Sequence, residues 1–370
     1  MPDAAPGPSQ SLTFPVLSVT LGAFLIGAPA AEAKTVSAGE RQALIRQGRV
    51  WNAIDPATLD LLNGPQGEGS YKAGEKVACT FEERDPAKPI GGHSKKFPCH
   101  DAAGSRLKIK YDPAVNREVF GEVAGTRLFW ALGFYAERMY SVKVACANCS
   151  KDPFLSDKPP RATRVFEPAT IQKRLKGVEI LAGDPTAENE GWTFDELELV
   201  DASKGGASKA ELDALKLLAV FVNHGDNTPN QQRILCAEDD PACARPILYA
   251  TDLGGAFGGS DFFTSFKGWS KKARLWKDPK ACVADFRGTV EGFQDPAISE
   301  AGRKLLADQL AKLSDRQVRD LFQGARFDLL GRLEPPSRMP DGKVRAPRVE
   351  DWVRVFKDKR EQILSATCPD

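Results

Sequence analysis

His224-Gly-Asp-Asn-Thr-Pro-Asn-Gln231 is the stretch on which the reading of this chain turns. Immediately before it, Leu212, Leu215, Leu218, Ala219 and Val222 recur at helical spacing. Ser208 and Glu211 stand at the spacing of a capping box, which starts that helix. A helix that runs straight into His-Gly-Asp delivers one aspartate, Asp226, at the mouth of a loop. Beyond the loop, Arg233–Cys236 and Ile247–Ala250 read as two strands joined by an acidic turn. The second strand ends in Thr251-Asp252-Leu253-Gly254-Gly255, which offers a second aspartate after a second strand.

Working outward toward the N-terminus, Val77–Phe81, Lys96–Cys99, Leu107–Tyr111 and Tyr140–Ala145 have strand character, the third by strict alternation. Asn116–Leu132 reads as a helix, with Val119, Val123 and Leu128 near one stripe and Gly133 as its stop. Ser37–Leu62 also looks helical. Residues 150–190, rich in Pro and Lys, read as a surface insertion. Asp201–Ser208 is polar and Gly-containing, a linker between two lobes. Toward the C-terminus Ser299–Leu313, Ser314–Leu329 and Glu350–Leu364 have helical patterns.

Four pieces therefore occur in order: a strand lysine (Lys108 or Lys110), a helix with Glu118 and Glu122, the loop of Asp226, and Asp252-Leu-Gly. Phosphoryl transfer from ATP needs these parts: a lysine on the phosphates, a glutamate to hold it, an aspartate at the acceptor hydroxyl, and an amide and a second aspartate for the metal ions. The turn at Gly91-Gly92 supplies backbone N–H groups to cover phosphates. Each piece alone is ordinary, since a strand lysine or a helix glutamate is usually a solvated charge. The order and spacing carry the reading.

On these residues the chain resembles an atypical member of the protein-kinase-like superfamily. Val119–Phe134 is similar to the Glu-bearing helix of the secreted Golgi casein kinase family, with Glu122 at the glutamate. His224–Gln231 resembles the HGDxxxxN catalytic loop of aminoglycoside and choline kinases. Asp252–Gly258 resembles the metal-binding loop of the Golgi kinases, and HipA-type toxin kinases and phosphoinositide kinases share the plan. The resemblance implies an α+β, two-lobed kinase-like fold with a strand-rich N-lobe and a helical C-lobe. It makes Lys110 the phosphate-binding lysine, with Lys108 second because both point to one strand face. It makes Glu122, rather than Glu118, the partner of Lys110, Asp226 the catalytic aspartate and Asp252 the metal aspartate. The cofactors implied are ATP with Mg²⁺ or Mn²⁺, and the acceptor is a hydroxyl on a protein, sugar or small molecule. One departure stands out: Gln231 occupies the position five after Asp226 where an asparagine is expected, and Asn230 is one position early. Both are candidate metal ligands, and the departure sets a pseudokinase or a disulfide-rich extracytoplasmic binding protein beside the active enzyme.

The compartment is read from the N-terminus and the cysteines. Leu12–Ala28 is apolar and uncharged and is followed by Ala31-Glu32-Ala33, an A-x-A site, so residues 1–33 are expected to be a cleaved signal peptide. An uncleaved anchor is the competing reading. The expected product is secreted or periplasmic, with an N-lobe over 34–200 and a C-lobe over 201–370. All eight cysteines follow Ala33, an even set that an oxidising compartment would pair. Cys79–Cys99 and Cys236–Cys243 each bracket a turn-rich segment and form natural staples, while Cys146, Cys149, Cys282 and Cys368 are not assignable from sequence. Over 370 residues, 51 basic groups against 50 acidic ones leave a net charge of +1, which makes no case for a nucleic-acid partner. An apolar content of 42% with 27% charged residues excludes a disordered chain and a multi-span membrane protein.

Overall fold

The computed structural model describes residues 33–83, 94–111, 114, 117–155, 160–183, 190–259, 263–288, 293–339 and 341–369. The expected signal sequence up to residue 32 and the Gly91-Gly92 turn lie outside the described residues.

The strand-rich part is a closed five-stranded barrel. Its strands are β2 (Lys76–Phe81), β3 (Lys96–His100), β4 (Arg106–Lys110), β5 (Arg138–Cys149) and β6 (Ala162–Lys173), after β1 (Ala33–Val36) and α1 (Ala38–Arg46). They neighbour one another in the order β2-β3-β4-β6-β5, and the parallel pairing of β2 with β5 closes the ring. The alternation seen in sequence sets the inside: Val77, Cys79 and Phe81 of β2 are buried while Lys76, Ala78 and Thr80 are exposed. Leu107 and Ile109 of β4 point in with Phe97 and Tyr111, each such side chain contributing about 2–3 kcal/mol by leaving water. Two disulfides, Cys79–Cys99 and Cys146–Cys149, lie in this same interior. Residues 150–190 are therefore not a surface insertion. They contain β6, which pairs with both β4 and β5, and the strand β7 (Gly177–Ala182). The outer face of β6 is largely exposed along its first half, and that polarity hid the strand.

A second sheet has the order β1-β7-β8-β9, with β8 (Gln232–Ala237) and β9 (Ile247–Ala250) forming the hairpin expected from sequence. Cys236–Cys243 closes that hairpin. The helix expected over Ser37–Leu62 ends at Arg46, because the chain must pass close against β9: a methyl group on Gly48 would lie 2.6 Å from the Leu248 side chain. The Asp201–Ser208 segment is a turn whose backbone bonds to Arg46 and Gly48.

The helical part begins with α3 (Lys209–Val222), whose Ser208–Glu211 capping box is formed in both directions. It continues with α4 (Phe266–Lys271), α5 (Glu300–Ala311), α6 (Asp315–Gly324), α7 (Phe327–Leu333) and α8 (Val349–Ser365). Trp269, Phe322, Phe327 and Trp352 pack into one aromatic core, Trp269 stacked on Trp352 and the other rings tilted or edge-on. Cys282–Cys368 ties the C-terminal tail to it.

Between barrel and helices lies α2 (Glu118–Ala131). The sequence suggested one apolar stripe, yet every residue from Val119 to Phe129 is buried, as befits a helix packed on all sides. Arg127 is buried too, and its guanidinium donates to the carbonyls of Leu61, Leu62 and Asn63.

Candidate active site

β4 ends with Lys110 on the outer face of the barrel, where alternation alone would leave a lysine in water. Here α2 and the loop after β9 cover that face, and Lys110 is only 3% exposed. Its ammonium contacts the Glu122 carboxylate directly, reaches Asp252 Oδ2 at 3.1 Å, and lies 3.5 Å from Glu118 Oε2. Glu122 is thus the tight partner and Glu118 the looser one, and Glu118 also accepts a hydrogen bond from Ser94 Oγ. Lys108, two residues earlier, sits opposite Gln172 of β6 and is exposed, where Lys110 is buried.

The approach of Asp252 to α2 depends on glycine. A methyl group on Gly121 would stand 2.2 Å from Thr264 Oγ1 and 2.6 Å from the Gly254 carbonyl, and one on Gly125 would stand 2.8 Å from Leu253 Cβ. Both glycines face the 252–256 loop. Gly254 N–H donates to Asp252 Oδ1 at 3.0 Å and orients it.

Three carboxylates and one ammonium share this space. Burial opposes the charge on Lys110, but Asp252, Glu122 and Glu118 outweigh it and hold the ammonium well above its ordinary range. Burial pushes the Glu122 carboxyl up, to about 8, against the pull of Lys110. For Asp252 burial also pushes upward, yet Lys110 and the Gly254 N–H hold it well below the usual carboxylate range. Lys96, directly opposite Lys110 on β3, is pushed down by burial and by the Lys110 charge. Sequence reasoning missed Lys96 and Ser94; the pairing register of β3 with β4 is the signal that would have found the lysine.

The loop that follows α3 is stitched to the loop that follows β9. Asn223 takes a left-handed conformation, φ 54°, and its amide donates to the carbonyls of Gly258 and Gly259 at 2.9 and 3.2 Å. Phe257 N–H donates to Val222 O at 2.6 Å. The backbone carbonyl of Gln231 accepts from Thr251 N at 2.8 Å, and its side-chain Nε2 donates to Asp226 Oδ2 at 3.2 Å. Gln231 thereby joins the segments of Asp226 and Asp252. Asn230 is exposed and its amide oxygen accepts from the Thr228 hydroxyl at 2.5 Å, while the Gln231 amide turns to Asp226. His224 is buried, and burial pushes its imidazole down to about 4.

One oxygen each of Glu118, Glu122 and Asp252 lies within 4.8 Å of the others. Glu122 Oε2 is buried without a hydrogen-bond partner. Hard carboxylate oxygens of this kind suit Mg²⁺ or Mn²⁺, so the residues present fit a divalent cation.

Two solved structures are similar to this chain. One is the Helicobacter pylori proinflammatory kinase CtkA, at 12% identity, covering 78% of this chain and 95% of that one with a TM-score of 0.42. The other is HipA of the Shewanella oneidensis MR-1 toxin–antitoxin system, solved with HipB and operator DNA, at 12% identity, 76% and 65% coverage and a TM-score of 0.31. No protein-family model and no curated protein matches the chain. The roles of individual residues accordingly rest on the geometry above.

Proposed function

We propose that this protein is a phosphotransferase of kinase-like type that uses ATP with Mg²⁺ or Mn²⁺ and acts on a hydroxyl acceptor. The observation that carries the reading is Lys110, buried between Glu122 of α2 and Asp252 of the loop after β9, with Gln231 joining that loop to Asp226. Lys110 binds the phosphates, and Glu122 fixes the lysine. Asp226 accepts the proton of the acceptor hydroxyl as the oxygen–phosphorus bond forms and the bond to the leaving diphosphate breaks. Asp252, Glu122 and Glu118 are the residues to hold the divalent cation, which supplies charge neutralisation on the phosphates when bound.

We also read the protein as exported, secreted or periplasmic. All eight cysteines are paired and none is free, which fits an oxidising compartment. One observation favours the second reading, a pseudokinase or a binding protein without turnover: the Gln231 amide donates to the carboxylate that would take the proton.

Calorimetry of ATP binding with and without Mn²⁺, beside turnover assays, tests the proposal. Asp252→Ala is expected to abolish metal-dependent nucleotide binding. Asp226→Ala is expected to spare binding and remove turnover. Absence of nucleotide binding by the wild-type protein under every metal condition overturns the phosphotransferase reading.

A further inference from the structure

Behind the Asp226 loop lies a largely enclosed cavity with about 10 Å³ open to the centre of a water molecule, room for one. Its walls include the apolar Val50, Phe129, Leu215 and Leu248. Besides the half-buried Tyr135, three fully buried polar side chains line it: Trp192, His224 and Gln232. They are 2%, 1% and 0% exposed. Trp192 Nε1, both ring nitrogens of His224 and Gln232 Oε1 are buried without a hydrogen-bond partner among the described residues. A buried donor or acceptor left unmade costs about 1–3 kcal/mol, so several gathered on one cavity call for a shared partner. The wall is built closely: a methyl group on Gly191 would lie 1.8 Å from the Gln232 carbonyl, so only glycine lets the Trp192 segment pass there.

We propose that one ordered water fills this cavity, accepting a hydrogen bond from Trp192 Nε1 and donating to Gln232 Oε1 and to the His224 imidazole, and that it positions Asp226. Three bonds is the usual complement of a buried water. The placement follows from the chain. His224 is two residues before Asp226. Gln232 turns its other amide atom, Nε2, to the carbonyl of Asn227 at 3.3 Å, one residue after Asp226. The water therefore joins the two ends of the segment that carries the carboxylate, and Trp192 anchors both to the stretch following β7. His224, Gln232 and Trp192 are positioning residues, none of which touches a reacting atom. The functional half of this inference rests on Asp226 being the group that acts on the acceptor; the water site itself does not.

The test begins with a crystal structure of the full chain at a resolution that shows ordered solvent. The expected result is one water within hydrogen-bond reach of all three side chains; a dry cavity overturns the proposal. Trp192→Phe deletes only the donor and a little volume. It is expected to leave nucleotide affinity unchanged, to lower turnover about tenfold, the scale of one lost hydrogen bond, and to speed amide exchange at residues 225–227 alone. Gln232→Met removes the water contact and the Asn227 bond together and is expected to lower turnover further with affinity again unchanged. Unchanged turnover and exchange in both variants overturn the positioning role, and so does a fall in nucleotide affinity equal to the fall in turnover. A wild-type protein that binds no nucleotide ends the phosphotransferase reading, and the exchange rates at 225–227 then decide the clamp by themselves.

Discussion

Gly121→Ala is the sharpest probe of how α2 and the Asp252 loop meet. The added methyl would stand 2.2 Å from Thr264 Oγ1, 2.6 Å from the Gly254 carbonyl and 3.0 Å from the Ala256 carbonyl. The Thr264 hydroxyl is the group shared between those two carbonyls, at 3.0 Å from each. Two of the three obstacles are backbone, so the loop itself must move. Overpacking of this kind costs about 1–3 kcal/mol, and a displaced hydroxyl loses about 1 kcal/mol more. Alanine in place of glycine in a helix returns about 1 kcal/mol. The net expectation is a loss of roughly 1–3 kcal/mol, a fall of roughly 1–4 °C in melting temperature for a chain of this length. Because Gly254 N–H orients Asp252, the same shift is expected to weaken metal-dependent nucleotide binding about tenfold. Gly39→Ala in α1 is the control, since nothing lies within 4 Å of its added methyl. That variant is expected to gain about 0.5–1 kcal/mol. Calorimetric melting and nucleotide titration of both variants decide the matter. A Gly121→Ala protein as stable as Gly39→Ala, with unaltered binding, refutes the close approach of α2 to the loop.

Three further expectations come from other parts of the molecule. Lys359 of α8 is fully buried, its ammonium has no acceptor among the described residues and lies 5.1 Å from the centre of the Trp269 ring, and burial lowers its pKa to about 7. Its proton is therefore favoured in the unfolded chain, so the destabilisation is complete below pH 7 and fades as pH rises toward 10.5; Lys359→Met is expected to add on the order of 3–5 kcal/mol at pH 6 and much less at pH 10, read by denaturant titration at both. Gln231→Asn shortens the arm that reaches Asp226 Oδ2 at 3.2 Å, so turnover is expected to fall severalfold, and a rise would show that an asparagine is the better residue there. Replacing Cys282 and Cys368 together by serine opens a loop of sequence separation 86 and is expected to lower stability by about 4–5 kcal/mol, whereas opening Cys236–Cys243, separation 7, costs markedly less in the same denaturation assay.

Glu122 and Glu118 illustrate how far the candidate site was legible. Their helix, the lysine strand and the two aspartate loops could be ordered along the chain, because each piece has a local period or a local turn. That Glu122 meets Lys110 directly while Glu118 stands off and also takes the Ser94 hydroxyl is a matter of side-chain packing. The same holds for Gln231 and Asn230. The sequence offered both as metal ligands; the structure turns one toward Asp226 and the other toward Thr228 and solvent.

By itself the sequence determined the elements that local physics specifies. The helix α3 shows its apolar spacing and its capping box, the hairpin of β8 and β9 shows two apolar runs around an acidic turn, and β4 shows the alternation that sends Lys108 and Lys110 to one face. It also paired Cys79 with Cys99 and Cys236 with Cys243, the two staples within short range. Only the tertiary structure decided what lies far apart in the chain: the parallel pairings of β2 with β5 and β1 with β7, the strands hidden within residues 150–190, and the Cys282–Cys368 tie. It also decided that the lysine at the end of β4 is buried. Alternation tells which face a residue occupies, but not what covers that face. Here the covering groups are the carboxylates of α2 and a loop more than a hundred residues later, whose contacts follow no local period.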